Sequence, residues 1–537
     1  LFFIINEELL LLLSVCFPSM YKLFFTILFL LPSFTRLFAQ FPNVMISNFN
    51  DPEEVSICIN PKNPQTVVAG ANIDNLYRSA DGGETWTIGN LVDTINGVWG
   101  DPAIFTDTAG DYYFIHLANP PHNGNWVDRI VFSKSTNGGI SWGEGTYTGL
   151  NGAKVQDKAQ ATVNPSNNEI YVTWTQFDVY GSADPIDSSL IFFSKSTDGG
   201  ATWSSPVRIS AQAGDCLDSD NTVEGATPAM GANGEIYVVW AWAEGLYFTK
   251  STDGGNTWLP HETFITSFPG GWDYNITGLM RCNGLPVTLT DNNGNIYVNW
   301  TDQRNGTTDT DVWLIKSTDG GDNWSAPVRV NNDAPGSQQF LTWMSIDPVT
   351  NNIYCVYYDR RNFSGSDSTD VYLARSGDGG NTFTNYKINE QAFVPDPDVF
   401  FGDYTGISAY DNKVLPMWMA YSDNLLSVWT ALIDGTMPGI EQNTISSFTP
   451  VALEQNAPNP FNETTHITFS LQKGGRVNLY LYDVSGKKIA TLYENEMFHA
   501  GKYDYIFNAV AAQLDKGIYY YSLNCDEYEI TKKMAVY

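Results

Sequence analysis

The chain has 537 residues, with 59 Asp and Glu against 28 Lys and Arg and a formal net charge of −31. That balance repels phosphate backbones and anionic headgroups, which argues against nucleic-acid and peripheral-membrane binding. The length suits two or three domains, and 14% aromatic with only 16% charged residues, 46 Gly and 26 Pro is the composition of an ordered all-β protein.

From the N-terminus, Tyr21–Leu31 is apolar but short for a membrane span. With Met20 and Lys22 at its start and Leu37-Phe38-Ala39 offering a small residue for cleavage, residues 20–39 read as a signal peptide and Gln40 as the first mature residue. Residues 1–19 carry Glu7 and Glu8 and read as an over-extended frame; a lipoprotein cysteine at Cys16 is the lesser alternative. No later segment is apolar for long enough to anchor the mature chain.

Internal repetition sets the architecture of residues 40–434. SADGGETW from Ser79 returns as STNGGISW from Ser135, STDGGATW from Ser196, STDGGNTW from Ser251, STDGGDNW from Ser317 and SGDGGNTF from Ser376, at spacings of 56, 61, 55, 66 and 59 residues. Asp81, Asp198, Asp253, Asp319 and Asp378 can accept hydrogen bonds from the backbone of the following turn, and Asn137 does the same work in the second copy. The paired glycines supply positive φ, and the closing Trp or Phe packs between sheets. Identical repetition makes these residues structural. A strand precedes each copy, as in Ile170–Trp174, Ile236–Trp240, Ile296–Trp300 and Ile353–Tyr357. Each unit therefore reads as four strands, and the whole as a β-propeller. Val414–Tyr421 begins a seventh unit without the octapeptide, and Asn43–Ser47 matches the outer strands, so it can close the ring. Seven blades is the expectation, with six the alternative.

The octapeptides resemble the Asp-box, or BNR repeat, of sialidases and related propellers, over about residues 41–435. The resemblance implies that the boxes lie at the periphery, away from any substrate. Sialidases also carry an Arg-Ile-Pro motif and three arginines that hold the substrate carboxylate. The motif is missing and no such triad can be assigned, so enzymatic activity stays open. Asp302 with Arg304, and Asp359 with Arg361, read as pairs that hold hairpin loops, and Arg208 and Arg329 as surface residues of outer strands. Gly139–Gly143 fits a serine-hydrolase elbow but sits inside a hairpin box and is set aside.

The acidic residues at the loops leading into the innermost strands are the ligand-facing candidates: Asp101, Asp157, Glu224, and Asp403 with Tyr404. Such loops surround the mouth of a propeller's channel. The residues are either caps on a solvated rim or a carboxylate-lined pocket for a sugar or a cation such as calcium; no cofactor is predicted. Trp99, Trp272, Tyr274 and Trp343 are the aromatic candidates for stacking on sugar rings. Cys216 and Cys282, in neighbouring inter-unit loops, are a candidate disulfide, while Cys58 and Cys355 sit in strand patterns and read as buried thiols.

After Asp434, residues 435–453 read as a linker and 454–537 as a small β-sandwich. Gln455–Phe461, Leu481–Lys487 and Gly517–Ser522 resemble the type A sorting domain of the type IX secretion system, with a generic Ig-like binding module as the alternative. That resemblance implies export across an outer membrane, to the medium or the cell surface, with the secretion machinery as a partner. The expectation is thus an exported propeller that binds an extracellular glycan or protein, or else a sialidase-like glycosidase.

Overall fold

A computed structural model describes residues 41–122, 124–436 and, a few positions apart, 451–537. The segment read as a signal and most of the linker lie outside these residues. The chain divides into two units, residues 1–438 and 439–537.

The first unit is a propeller of seven antiparallel sheets, not six. From innermost to outermost strand, blade 1 runs from Ser56–Ile59 to Thr87–Asn90 and blade 2 from Ala103–Thr106 to Thr146–Thr148. Blade 3 runs from Val155–Val163 to Val207–Arg208, blade 4 from Glu224–Met230 to Thr263–Ser267, blade 5 from Val287–Thr290 to Val328–Arg329, and blade 6 from Gln339–Ile346 to Thr384–Lys387. Blade 7 supplies three strands from Gly406–Tyr410, Lys413–Ser422 and Leu425–Ala431. Its outer strand comes from the other end of the domain: Asn43, Val44 and Met45 pair with Ala431, Thr430 and Trp429. The open edge of the last blade is thereby paired, as the sequence suggests. The second strands are buried on both faces because each sheet is stacked between two others; Trp174, Trp240, Trp300 and Trp418 lie fully enclosed there.

The Asp-boxes close the turn between the third and fourth strands. In blade 1, Ser79 Oγ donates to Asp81 Oδ1 at 2.7 Å and accepts the N–H of Gly83 at 2.8 Å, while Asp81 accepts the N–H of Thr85 at 2.9 Å. Asn137 accepts from Ser141 N–H at 3.0 Å, so the amide performs the expected substitution. The Thr85 hydroxyl, then its N–H, holds the Asp81 carboxyl down at about 2, and Thr202, Thr257 and Asn323 do the same for Asp198, Asp253 and Asp319. These bonds support the fold above the ordinary carboxylate range and are lost as pH falls toward about 2.

The boxes also join the blades. The cation before each of the first five box serines reaches forward to the first box glycine of the next blade. Arg78 donates to Gly138 O at 2.7 Å, Lys195 to Gly254 O at 2.7 Å, Lys250 to Gly320 O at 2.8 Å and Lys316 to Gly379 O at 2.8 Å. The second glycine of each box lies against the preceding blade. A Cβ on Gly255 would stand 2.3 Å from Phe193, and one on Gly321 2.3 Å from Phe248. The same two rings receive the box tryptophans, Trp258 at 5.0 Å and Trp324 at 5.4 Å between centroids. Blade 7 has no box to offer, and Arg375 Nε has no hydrogen-bond partner. Lys413 of blade 7 closes the ring instead, donating to Gly82 O of blade 1 at 3.3 Å.

The second unit has two sheets, one of Val451–Leu453, Thr464–Leu471 and Gly501–Asn508, the other of Gly475–Tyr482, Lys488–Phe498, Gly517–Cys525 and Tyr528–Val536. Phe469, Leu479, Tyr521 and Met534 are buried in its core. Strict alternation along Val477–Tyr482 puts Val477, Leu479 and Leu481 inside, the pattern of a two-sheet sandwich. Its first strand, Val451–Leu453, pairs with Phe469–Leu471, so the sandwich begins inside the stretch read as linker.

Three further readings need correction. Cys216 and Cys282 form no disulfide and are buried free thiols. Cys216 faces the backbone of Val179 and Asp178 in blade 3, whereas Cys282 packs beside Asn283 and Tyr274, so the two sulfurs have different neighbours. Cys355 is buried as expected, but Cys58 is only half-buried. Arg329 is not a free surface residue, since it pairs with Asp311 at 2.6 Å and Asp333 at 3.0 Å. The hairpin pairs hold as read, Arg304 with Asp302 at 2.6 Å and Arg361 with Asp359 at 2.7 Å.

Gly321→Ala combines an overpacked contact with a positive φ and is expected to cost about 2–4 kcal/mol in urea unfolding. Gly365 also has positive φ but faces open space; its Ala variant should lose only about 1 kcal/mol. Equal losses at the two positions would refute the blade-contact role.

Candidate functional site

The chain enters each innermost strand on the propeller face opposite the boxes. One register position recurs there, five residues before the strand's end: Glu54 before Ile59, Asp101 before Thr106, Lys158 before Val163, Gly225 before Met230 and Leu341 before Ile346. All five have positive φ, from 49° to 72°. Four are not glycine, so the surrounding structure imposes the conformation. Below these residues the channel encloses about 270 Å³, lined by inner-strand side chains such as Gln160, Thr227, Trp343 and Tyr404.

The side chains at the mouth form one buried ionic cluster. Lys158 lies at its centre, with Nζ 2.6 Å from Asp403, 3.5 Å from Asp101 and 3.7 Å from Glu54, and 5.7 Å from the Tyr404 ring centroid. Arg281 donates through Nε to Asp403 Oδ1 at 2.8 Å, through a second nitrogen to Asp403 Oδ2, and lies 3.4 Å from Asp218. Asn72 accepts the N–H of Asp101 at 2.7 Å and donates to Glu54, fixing both. Asp157 accepts the N–H of Lys158 at 2.9 Å. Glu224 is fully buried, and neither carboxyl oxygen has a hydrogen-bond partner.

Burial and charge divide these carboxyls into two kinds. Burial would raise Asp403, but Lys158 and Arg281 hold it far below its usual value, and Lys158 also lowers Asp101. Burial raises Glu54, Asp157 and Glu224 well above the carboxylate range, helped by the charge of Asp101 on the first two and of Asp157 on the third. Burial would lower Lys158, but Asp101, Asp403, Glu54 and Asp157 raise it well above an ordinary lysine. The mouth thus holds ionised carboxylates and neutral carboxylic acids side by side.

Beside the cluster an aromatic arc stays open to solvent. Trp99 is 37%, Trp126 46% and Tyr180 38% exposed. Trp99 meets Trp126 edge to face at 5.9 Å, and Trp126 meets Tyr180 at 6.3 Å. The Tyr180 hydroxyl donates to Asp218 at 2.6 Å, so the arc runs directly into the Asp218–Arg281–Asp403 line.

All five ligand-facing candidates lie at this mouth, although Asp101, Glu224, Asp403 and Tyr404 are buried there rather than on a solvated rim, and Asp157 is partly buried. Of the aromatic candidates, Trp99 belongs to the arc and Trp343 packs on Tyr404 at 5.5 Å. Trp272 and Tyr274 are core residues, with Trp272 Nε1 bonded to Thr222 O and the Tyr274 hydroxyl to Thr301. Sequence reasoning missed Lys158, Arg281, Glu54, Trp126 and Tyr180. Aligning units on the last residue of each innermost strand would have exposed Glu54 and Lys158; nothing periodic marks the others. Among the described residues no group of three or more His, Cys, Asp or Glu is arranged to hold a metal ion. The centre of the carboxylates is taken by an ammonium.

Fold and tail define an Asp-box β-propeller made for export. Residues 457–537 match the family described as secretion system C-terminal sorting domain, so the second unit is a type IX sorting module that directs the chain to the cell surface or the medium. No curated protein matches the chain. Among solved structures it is similar to a protein of unknown function from Dyadobacter fermentans, at 12% identity, covering 71% of this chain and 98% of that one with a TM-score of 0.43. It is also similar to an ulvan lyase (12%, 73% and 96%, TM-score 0.45) and to the NanB sialidase of Streptococcus pneumoniae (9%, 68% and 83%, TM-score 0.42). Likenesses this distant say nothing of substrate or chemistry.

Glu224 has a raised pKa in the fold, so the stability linked to its proton is present below its unfolded value and drains away as pH rises through the folded one. Glu224→Gln keeps the shape and removes the titration. Its denaturant midpoint should fall less than the wild type's between about pH 5 and about pH 9. Parallel curves would show that Glu224 is not held neutral.

Proposed function

We propose that the exported propeller binds extracellular glycans at the channel mouth. The exposed arc of Trp99, Trp126 and Tyr180 carries this reading. Three rings left open beside a fixed line of polar groups suit the alternating apolar faces and hydroxyl edges of sugar rings. Asp218 and Arg281 are half-buried and already oriented by each other, so they can bond hydroxyls without first being ordered. Trp126→Ala should weaken binding to the best ligand on a glycan array by about tenfold, while Asp253→Ala in a box should leave affinity intact. Unchanged binding in the Trp126 variant would remove the arc from the site.

A second reading, glycoside hydrolysis, is favoured by Asp157. This carboxyl is held protonated beside ionised Asp101, and it is only partly buried where Glu224 is sealed. An acid paired with a carboxylate is the arrangement that protonates a leaving oxygen and stabilises the developing cation. If the bound glycan is cleaved, Asp157→Asn should lower kcat by at least about a hundredfold with KM little changed. Full turnover in that variant would end the hydrolytic assignment to Asp157 and leave binding standing.

A further inference from the structure

Resting on the glycan reading above, we infer that the ligand carries free amino groups. The structure assigns the mouth to a polysaccharide of amino sugars, with sugar faces on the aromatic arc and an ammonium between Asp157 and Asp218.

The first ground is that the cations of the ionic cluster and of the loops beside the aromatic arc are already engaged, while Arg360, whose Nη2 lacks a partner, is itself buried. Lys158 is shared by Asp403, Asp101 and Glu54, and Arg281 by Asp403 and Asp218. Lys154 pairs with Asp178 at 2.5 Å and Arg129 with Asp128 at 2.7 Å. An anionic sugar would have to break one of these pairs and leave a buried carboxylate uncompensated, which costs several kcal/mol. The second ground is surplus acid: Asp157, Glu224, Asp220 and Asp273 face the same region, and no ion pair engages them among the described residues. The third is Glu224, fully buried with both oxygens unpartnered. Its charged neighbours are Asp157, Asp218 and Lys158, with Thr175 on the adjoining strand. A neutral ligand leaves that carboxyl as it is, whereas a positive charge placed between Asp157 and Asp218 stabilises its ionised form. Binding of an ammonium should therefore release protons from Asp157 and Glu224 to solvent. The flat rings of the arc favour a sugar over a lysine-rich peptide as the carrier of that ammonium.

The test is calorimetry on the full exported chain with a glucosamine oligomer, its N-acetylated counterpart, a galacturonate oligomer and poly-lysine. Each titration is repeated in two buffers of different ionisation heat. The expected result is that the glucosamine oligomer binds about tenfold or more tighter than the N-acetylated one, the effect of one partly desolvated charge pair. Its binding should release protons, Glu224→Gln should reduce that release, and Trp126→Ala should weaken both sugars. Asp157→Asn provides a second variant should Glu224→Gln fold poorly. Equal or tighter binding of the N-acetylated or galacturonate oligomer overturns the inference and leaves the glycan reading in place. Poly-lysine binding that matches the glucosamine oligomer and ignores Trp126→Ala overturns it in favour of a cationic peptide. No binding of any sugar overturns both.

Discussion

The propeller depends on a hydrogen bond that crosses from one blade to the next at every junction but that of blades 6 and 7, from a lysine or arginine to the carbonyl of a box glycine. The following glycine has no Cβ and lets a side chain of the preceding blade come close: Tyr113, Phe193 and Phe248 in three boxes, Leu415, Val68 and Leu314 in the others. A ring of sheets tolerates little error, since a mismatch at each interface accumulates around the circle. Repeating one donor, one acceptor and one absent side chain keeps the spacing uniform. Where blade 7 lacks a box, the pattern is replaced rather than lost, with Lys413 reaching Gly82 and the N-terminal strand completing the sheet.

Fixing the periphery in this way frees the opposite face. The loops there repeat a backbone conformation but not a residue, and they bring together residues as distant in sequence as Glu54 and Asp403. Burying one ammonium among carboxylates is expensive unless every partner is placed beforehand. The placement comes from backbone that the blades impose: positive φ at Glu54, Asp101 and Lys158, and the Asn72 side chain holding two of the acids. Lys158 therefore acts as a resident counterion. The remaining carboxyls stay neutral by burial, which makes the mouth responsive to any charge that arrives.

The fold was legible in the sequence because its cause repeats. Six octapeptides, the strand pattern around Trp174, Trp240 and Trp300, and the match of Asn43–Ser47 to outer strands all report the same local physics several times over. The site was legible only in part. Asp101, Asp157, Glu224 and Asp403 could be placed at the mouth because each begins a unit, but their burial depends on neighbours brought in from other blades. Arg281 and Trp126 carry no periodic mark, and their roles exist only after the ring has closed. Trp272 and Tyr274 show the converse error: an aromatic in a mouth loop is as readily a plug against the core as a platform. The cysteines fail for a related reason, since being in neighbouring loops says nothing of where two sulfurs point.

The same closure decides what the mouth cannot do. A site that grips a carboxylate needs arginines whose own partners are weak or absent. Here Arg281 is shared by Asp218 and Asp403, Arg304 by Asp302, and Arg361 by Asp359. Each of these three guanidiniums is spent on the protein's own acids, and removing it would leave a buried charge behind; Arg360 differs, held mainly by Thr277 O and Gln338 with Asp367 at 3.4 Å and its Nη2 buried and unpartnered. The missing arginine triad is therefore more than a gap in a motif. The mouth gathers more acids than cations, with Glu54, Asp101, Asp157, Glu224 and Asp403 around Lys158, and Lys158 and Arg281 hold the ionised ones in place. On the proposed reading, recognition there comes from hydroxyls that donate and amines that are protonated, with the open tryptophans supplying the apolar contact that charge alone does not give.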